Sequence, residues 1–166
     1  MLPRPVEYNP VTKPTTPQGY TRRMPHRLRV ADIMSSDLVT LAEDDTLAEA
    51  RSCMDRGRIR HLPVVRDGRL VGLVTHRDLL AASLSVFAEV SRSEQRRLFS
   101  RIPVRELMHD AVTVGPDTQV RDAARILIES NFGCLPVVDA KGALVGIVTG
   151  ADFLRLTVRL LDAIQA

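Results

Sequence analysis

Two stretches of the sequence decide the fold: residues 62–75 read LPVVRDGRLVGLVT, and residues 135–149 read LPVVDAKGALVGIVT. In each stretch, two apolar runs rich in β-branched residues flank a short segment that contains a glycine. An Asp-Gly pair between such runs, as at Asp67-Gly68, is a strong signal for a β-hairpin. Lys141-Gly142 takes the same place in the second stretch. The sequence therefore predicts two antiparallel hairpins.

The hairpins belong to a longer internal repeat, in which residues 30–82 match residues 104–156 at an offset of 73 or 74 positions. An internal repeat of this kind determines the architecture of the whole chain. A unit of about 50 residues buries little core by itself, so we expect the two units to pack together. The matched pairs include Val30 and Val104, Met34 and Met108, and Asp78 and Asp152.

Each repeat has the pattern of a β-α-β-β-α unit. The β-branched segment Leu38–Leu41 predicts a short first strand. Apolar residues at helical spacing, over 47–54 and 120–128, predict a helix before each hairpin. A second helix is expected after the Thr that ends each hairpin. These elements place the chain in the α/β (α+β) class.

Polar residues at the predicted helix starts are candidates for N-caps. Asp45 or Thr46 precedes the first helix of the first unit, and Thr118 precedes that of the second. Such side chains accept hydrogen bonds from the first amides of a helix, which have no partner within the helix. We therefore expect α-helices to begin directly after these positions.

The repeat divides the chain into a Pro-rich basic tail (1–29), a first unit (30–82), a helical linker (83–103) and a second unit with a C-terminal helix (104–166). The tail holds six of the ten prolines and six basic residues against one acidic residue, so its net charge is +5 while the rest carries −2. We expect the tail to be extended or disordered. Whether it is passive or binds an acidic partner weakly stays open.

Composition excludes several classes of protein. Cys53 and Cys134 form no CxxC pair, which argues against a disulfide scaffold or a structural zinc site and favours a reducing, cytoplasmic location. No apolar run of 18 or more residues predicts a membrane span. Aromatic residues make up 4% of the chain and Trp is absent, so nucleic acid is an unfavoured partner. No set of nucleophile, base and orienting group is visible, so we expect no enzymatic activity.

The order of apolar strand, hairpin and terminal Thr-x-x-Asp, present twice, resembles a tandem pair of CBS domains, or Bateman module, over residues 30–156. The resemblance implies two β-α-β-β-α units packed as a pseudo-twofold pair. It also implies an adenosine ligand (AMP, ADP, ATP or S-adenosylmethionine) in clefts between the units. Such modules usually form homodimers and regulate an effector protein, here unidentified.

The Thr-x-x-Asp elements, Thr75 to Asp78 and Thr149 to Asp152, have two interpretations. The first is a capping box, in which the Thr hydroxyl and the Asp carboxylate satisfy amides at the start of a helix. The second is ribose binding, because a carboxylate can accept hydrogen bonds from two vicinal hydroxyls. The two are compatible, and the resemblance favours ribose binding as a family role.

By this resemblance, each site joins the Thr-x-x-Asp element of one unit to the first strand of the other. Arg60 is expected to meet phosphates, because guanidinium pairs bidentately with phosphate oxygens. The first site would thus take a phosphorylated nucleotide, and the second a less charged ligand or none. The first site comprises Arg60, His61, Thr75, His76, Arg77, Asp78, Met108, Ala111, Val112 and Thr113. The second comprises Met34, Leu38, Val39, Thr40, Cys134, Thr149, Gly150 and Asp152.

Two other functions stay open. One is a dimerising adaptor that uses the basic tail to hold nucleic acid or an acidic partner, which would bind with a steep salt dependence. The other is a structural module whose ligand sites are vestigial. Binding of adenosine ligands would separate the leading interpretation from the second alternative.

Overall fold

The computed structural model describes residues 28–87 and 91–165. Apart from Leu28 and Arg29, the predicted tail 1–29 lies outside these residues. Within them, no helix is both long enough and apolar enough to cross a membrane.

The described chain alternates helices and short strands, which confirms the predicted α/β (α+β) class. The first unit contains α1 (Leu47–Gly57), β1 (His61–Arg66), β2 (Arg69–Thr75) and α2 (His76–Phe87), and α3 (Arg92–Phe99) follows it. The second unit contains α4 (Val120–Ser130), β3 (Cys134–Val138), β4 (Leu144–Thr149) and α5 (Gly150–Gln165). Each unit begins with a 3-10 turn, at Val30–Asp32 and Val104–Glu106.

Both predicted hairpins are confirmed, since β1 pairs with β2 and β3 with β4 in antiparallel register. Asp67 and Gly68 have φ angles of 51° and 75°, as the two central residues of a type I′ turn require. The second hairpin has a longer loop, in which the Asp139 carboxylate accepts hydrogen bonds from the amides of Ala143 and Lys141. These bonds hold the pKa of Asp139 below its usual range.

The predicted strand at Leu38–Leu41 is wrong in its extent. Only Leu41 pairs with the hairpin, through a bridge to Val64 in parallel orientation, and residues 38–40 are irregular. Pairing stops after Leu41 because a turn begins at once, in which the Ala42 amide donates to the Asp45 carboxylate at 2.7 Å. In the second unit, Val114 makes the matching bridge to Val137.

One of the helix caps differs from the prediction. Thr46 caps α1 in a full capping box with Glu49, so that candidate is confirmed. Thr118 does not cap α4, whose N-cap is Gln119. The hydroxyl of Thr118 is instead engaged one turn earlier, where it accepts a hydrogen bond from the Gly115 amide at 3.1 Å.

The two repeats exchange their first segments. Val104 belongs by sequence to the second repeat, yet it is fully buried in the first core, between α1, the β1–β2 hairpin, α2 and α3. Val30 belongs to the first repeat and is fully buried in the second core, with Val114 and the β3–β4 hairpin. Each core is therefore completed by the other repeat.

Backbone hydrogen bonds hold the exchanged segments in place. Ser35 pairs with Ile147 of β4 through two bonds of 3.0 Å, and His109 pairs with Leu73 of β2 through bonds of 2.9 and 3.1 Å. These pairs are related by the repeat offset of 74 positions, which gives the two units a pseudo-twofold relation. Each hairpin thus carries an added edge segment from the other repeat.

Candidate functional site

The first candidate site is built on the junction between β2 and α2. The Thr75 amide and hydroxyl donate to Oδ2 of Asp78 at 2.8 and 2.6 Å, and the Asp78 amide lies 3.3 Å from the Thr75 hydroxyl oxygen. These contacts form the predicted capping box. They use only one carboxylate oxygen, and no hydrogen bond from the described residues reaches Oδ1. Since the Asp78 side chain is 25% exposed, Oδ1 can accept hydrogen bonds from a ligand.

A histidine from the second repeat completes this site. Nε2 of His109 lies 3.3 Å from Oδ2 of Asp78, and Nδ1 lies 2.9 Å from the Asp110 carbonyl oxygen. The exchanged segment that pairs with β2 therefore also places an ionisable group against the Asp78 carboxylate.

His61, at the start of β1, packs across the boundary between the repeats. A Cβ atom added to Gly133 would lie 2.3 Å from Nε2 of His61, so glycine leaves the space that the imidazole occupies. Burial and the nearby Arg60 lower the pKa of His61, and Asp78 opposes them. These influences favour a neutral imidazole in the folded chain.

Arg60 and His76 lie together in a surface groove of about 310 Å³ at the C-terminal end of α1, which Met54, Asp55, Arg58 and Ile59 also line. The two residues are joined by a 2.8 Å hydrogen bond from the His76 amide to the Arg60 carbonyl. Asp78 does not line this groove, although it lies on the same helix as His76. The predicted phosphate-binding and ribose-binding groups thus flank the start of α2.

The second candidate site has the same backbone but a different carboxylate environment. The Thr149 amide and hydroxyl donate to Oδ2 of Asp152 at 2.7 and 2.9 Å, as at the first site. Here, however, Arg155 donates to Oδ1 at 2.7 Å, and the Asp152 side chain is only 4% exposed. Both oxygens of Asp152 are therefore engaged.

The predicted methionines lie against the hairpins of the opposite units. Cβ atoms added to Gly72 and Gly146 would lie 2.7 and 2.4 Å from the sulfur atoms of Met108 and Met34, respectively. Each glycine therefore allows a thioether to lie directly on the strand. Both side chains also pack against the cores, so core packing accounts for their position, and their role as cleft walls stays a prediction.

The other predicted residues fall into three groups. Val39 and Val112 are 38% and 46% exposed, and they lie in irregular segments with their neighbours Leu38, Thr40, Ala111 and Thr113. Arg77 and Gly150 are exposed at the starts of α2 and α5. Cys134 is buried opposite Thr149 in the hairpin, and burial raises the pKa of its thiol to about 12.

Two residues beside the carboxylates were missing from the predicted sites. His109 directly follows Met108, which was included in the predicted site. The sequence could therefore have indicated that His109 also lies near Asp78. Arg155 lies three positions after Asp152, which puts both on one face of a helix. Among the described residues no cluster of three or more His, Cys, Asp or Glu side chains has the arrangement of a metal site.

Comparison with known proteins identifies the repeats. The CBS domain family model matches residues 30–85 and 104–159. A CBS domain-containing protein of Dictyostelium discoideum is 34% identical over 140 residues, which cover 83% of this chain and 97% of that protein. The match to an inosine-5'-monophosphate dehydrogenase of Korarchaeum cryptofilum, at 33% identity, covers 75% of this chain but only 23% of the enzyme.

Solved structures of similar fold include complexes with three adenosine ligands. CBSX2, a CBS-pair protein from Arabidopsis thaliana, in complex with AMP is 32% identical, with a TM-score of 0.67 over 80% of this chain and 97% of that one. The CBS domain pair of protein MJ0100, in complex with 5'-methylthioadenosine and S-adenosyl-L-methionine, is 30% identical. Its TM-score is 0.65, over 78% of this chain and 95% of that one.

Proposed function

The chain belongs to the CBS domain family, and from this premise we propose that it is a regulatory module that senses an adenosine ligand. In this proposal the ligand binds the first site and shifts the state of an effector protein. Such a shift requires that the ligand bind two conformations of the module with different affinities. The observation that carries the proposal is the Asp78 carboxylate, which keeps one oxygen available at the edge of an inter-repeat contact.

The chemistry of the first site suits an adenosine nucleotide. The available oxygen of Asp78, Oδ1, would accept hydrogen bonds from the ribose hydroxyls, while Oδ2 stays in the capping box with Thr75. Arg60 and His76 lie in the groove beyond the start of α2, where a guanidinium can pair with phosphate oxygens. This arrangement favours AMP, ADP or ATP over a ligand without phosphate.

Binding is tested by thermal denaturation and calorimetric titration with AMP, ADP, ATP and S-adenosylmethionine. A ligand at 100 times its dissociation constant should add about 2.7 kcal/mol to the free energy of unfolding. We expect at least one phosphorylated nucleotide to do so. A chain that no ligand in the panel stabilises would instead be a structural module with vestigial sites.

Asp78→Asn tests the ribose contact, and the chain offers a closely matched control. Glu49 is the acidic residue of the α1 capping box, with the same contacts to Thr46 that Asp78 makes to Thr75. Glu49→Gln therefore removes a carboxylate charge from the same position of a helix whose N-terminal end does not line the groove. Asp78→Asn should weaken nucleotide binding at least tenfold, whereas Glu49→Gln should leave it unchanged. Equal affinity in both variants would contradict the assignment.

We also propose that the module forms a homodimer through α5. This helix exposes an apolar stripe, in which Leu154, Val158, Leu161 and Ile164 are between 53% and 80% exposed. Leu80, which matches Leu154 at the repeat offset, is 45% exposed on α2. The exposed stripe of α5, with Leu80 at the pseudo-equivalent position of α2, suits a second copy of the chain related by twofold symmetry.

The homodimer is tested by measuring molar mass in solution. Val158→Asp places a charge within the stripe and should yield monomers at concentrations where the wild type is dimeric. Thr157→Asp makes a similar change at the adjacent exposed position, outside the stripe, and should leave the dimer intact. A monomeric wild type, or a Val158→Asp variant that stays dimeric, would rule out this interface.

A further inference from the structure

The two Thr-x-x-Asp elements share a backbone arrangement but leave their carboxylates in different states. Asp152 is 4% exposed and Asp78 is 25% exposed. Oδ2 of each accepts hydrogen bonds from the amide and hydroxyl of its own Thr. The difference between the two sites therefore lies in access and in the partners of the remaining oxygen.

At the second site the remaining oxygen is taken by a charged partner. Nη2 of Arg155 donates to Oδ1 of Asp152 at 2.7 Å, within a helix that begins two residues before the Asp. A hydrogen bond between ionised groups is among the strong ones, and an ionised acceptor that is buried is costly to leave unpaired. A ligand that approaches Asp152 must displace this guanidinium before it can use the carboxylate.

At the first site the matching position carries no arginine. The position that matches Arg155 at the repeat offset is Ala81, whose methyl side chain has no donor. Asp78 instead has His109 as a neighbour, whose Nε2 lies 3.3 Å from Oδ2, and Oδ1 has no hydrogen bond from the described residues. The replacement of Arg by Ala therefore coincides with the more accessible carboxylate.

We infer that Arg155 closes the second site to ribose, so that each chain binds one adenosine ligand, at Asp78. Recognition of a vicinal diol by a carboxylate needs accessible oxygens that can accept two hydroxyl protons. Asp152 has both oxygens engaged and almost no exposed surface, whereas Asp78 retains an oxygen. This inference rests on the proposed function for the first site, and it makes Arg155 the residue that sets the number of ligands.

The size of the effect follows from the strength of the pair. Displacement of a charged hydrogen-bond donor from its acceptor weakens binding on the order of 10- to 100-fold. A ligand with a dissociation constant of about 1 μM at the first site would then bind the second with a dissociation constant of about 10 to 100 μM. Removal of the guanidinium should recover most of this factor.

The experiment is a calorimetric titration of the full chain with AMP, which measures the number of ligands bound per chain. The wild type should bind one, and Arg155→Ala should bind two. Arg159→Ala is the control, because Arg159 is exposed on the same helix one turn later and makes no ion pair among the described residues. That variant should still bind one. If Arg155→Ala fails to fold, Arg155→Met is used in its place, because Met keeps an apolar chain of similar length without the guanidinium.

The outcomes separate this inference from the proposed function. Two ligands bound by the wild type, or one bound by a folded Arg155 variant with unchanged affinity, would overturn the role of Arg155 but leave a nucleotide sensor. A ligand bound by the Arg155 variant alone would support the role of Arg155 and overturn the assignment of the first site. If AMP does not bind, the titrations are repeated with ADP and ATP, and no binding of any of the three by either protein would overturn both. Addition of Asp152→Asn to Arg155→Ala should return the number to one.

Discussion

Because the first segments are exchanged, we predict that truncation of Val104, a residue of the second repeat by sequence, destabilises the core of the first repeat. Val104 is fully buried in the first core, and its amide donates to the Asp45 carbonyl at 2.7 Å. Val104→Ala keeps this backbone bond and removes only buried methyl groups. The variant therefore measures the apolar contribution of the exchanged segment.

The magnitude follows from the buried atoms. Removal of two methyl groups forfeits roughly 1.6 kcal/mol of transfer free energy at about 0.8 kcal/mol per group. The cavity that remains adds to this loss, so the free energy of unfolding should fall by about 2 to 3 kcal/mol. For a folded region of this size, that loss lowers the melting temperature by roughly 5 to 10 °C. Val30→Ala should cost a similar amount in the second core, where Val30 is also fully buried.

Urea denaturation followed by far-ultraviolet circular dichroism is the suitable assay. The chain has no Trp, and Tyr8 and Tyr20, its only tyrosines, lie outside the described residues, so fluorescence would report poorly on the cores. Val112→Ala makes the same chemical change at a side chain that is 46% exposed, and it should cost less than about 0.5 kcal/mol. Each variant should unfold in one transition with an unchanged m value, because each core contains a segment of the other repeat.

Two results would refute the reasoning. A loss for Val104→Ala no larger than that for Val112→Ala would show that the exchanged segment does not support the first core. Two separate transitions in the wild type would show that the repeats fold independently, which the exchange excludes.

Three further predictions concern single groups. The lowered pKa of His61, caused by burial and by Arg60, means that the unfolded chain binds this proton more readily, so stability should fall as the pH drops below about 6.5. His61→Asn should flatten the dependence of the urea midpoint on pH between about 5 and 7, and an unchanged slope would contradict this. The buried thiol of Cys134, with its pKa raised to about 12, and the buried Cys53 should both resist a thiol reagent in native buffer and react in urea. Thr46→Ala removes the cap of α1 and should lower the free energy of unfolding by about 1 kcal/mol, measured by urea denaturation.

The features that the sequence predicts well are those that depend on local chemistry. The Asp67-Gly68 turn needs two positive φ angles, which these residue types adopt readily, and the structure has both. The capping box from Thr75 to Asp78 likewise follows from the spacing of two residues. The first strand fails as a prediction because residues 38–40 have no hydrogen-bonded partner strand among the described residues, and the propensity of β-branched residues does not supply one.

The exchange of segments is not accessible to local reasoning. Val30 and Val104 match each other in the repeat, so each side chain would fit either core equally well by size and hydrophobicity. The choice depends on long-range backbone contacts, such as the bond from the Val104 amide to the Asp45 carbonyl and the pairing of His109 with Leu73. Pattern matching within one repeat carries no information about such contacts.

The difference between the two candidate sites depends in part on the exchange of first segments between the repeats. Because the first segments are exchanged, the residue that faces Asp78 is His109 of the other repeat, and the position that matches it in the other unit is Ser35. A repeat pair can therefore change one site through three separate positions: the carboxylate's own helix, the exchanged segment and the start of the hairpin. In this chain all three differ, with Ala81 against Arg155, His109 against Ser35, and His61 against Cys134. The motif itself is the same in both units, so its neighbours, and not the Thr-x-x-Asp pattern, decide which carboxylate a ligand can reach.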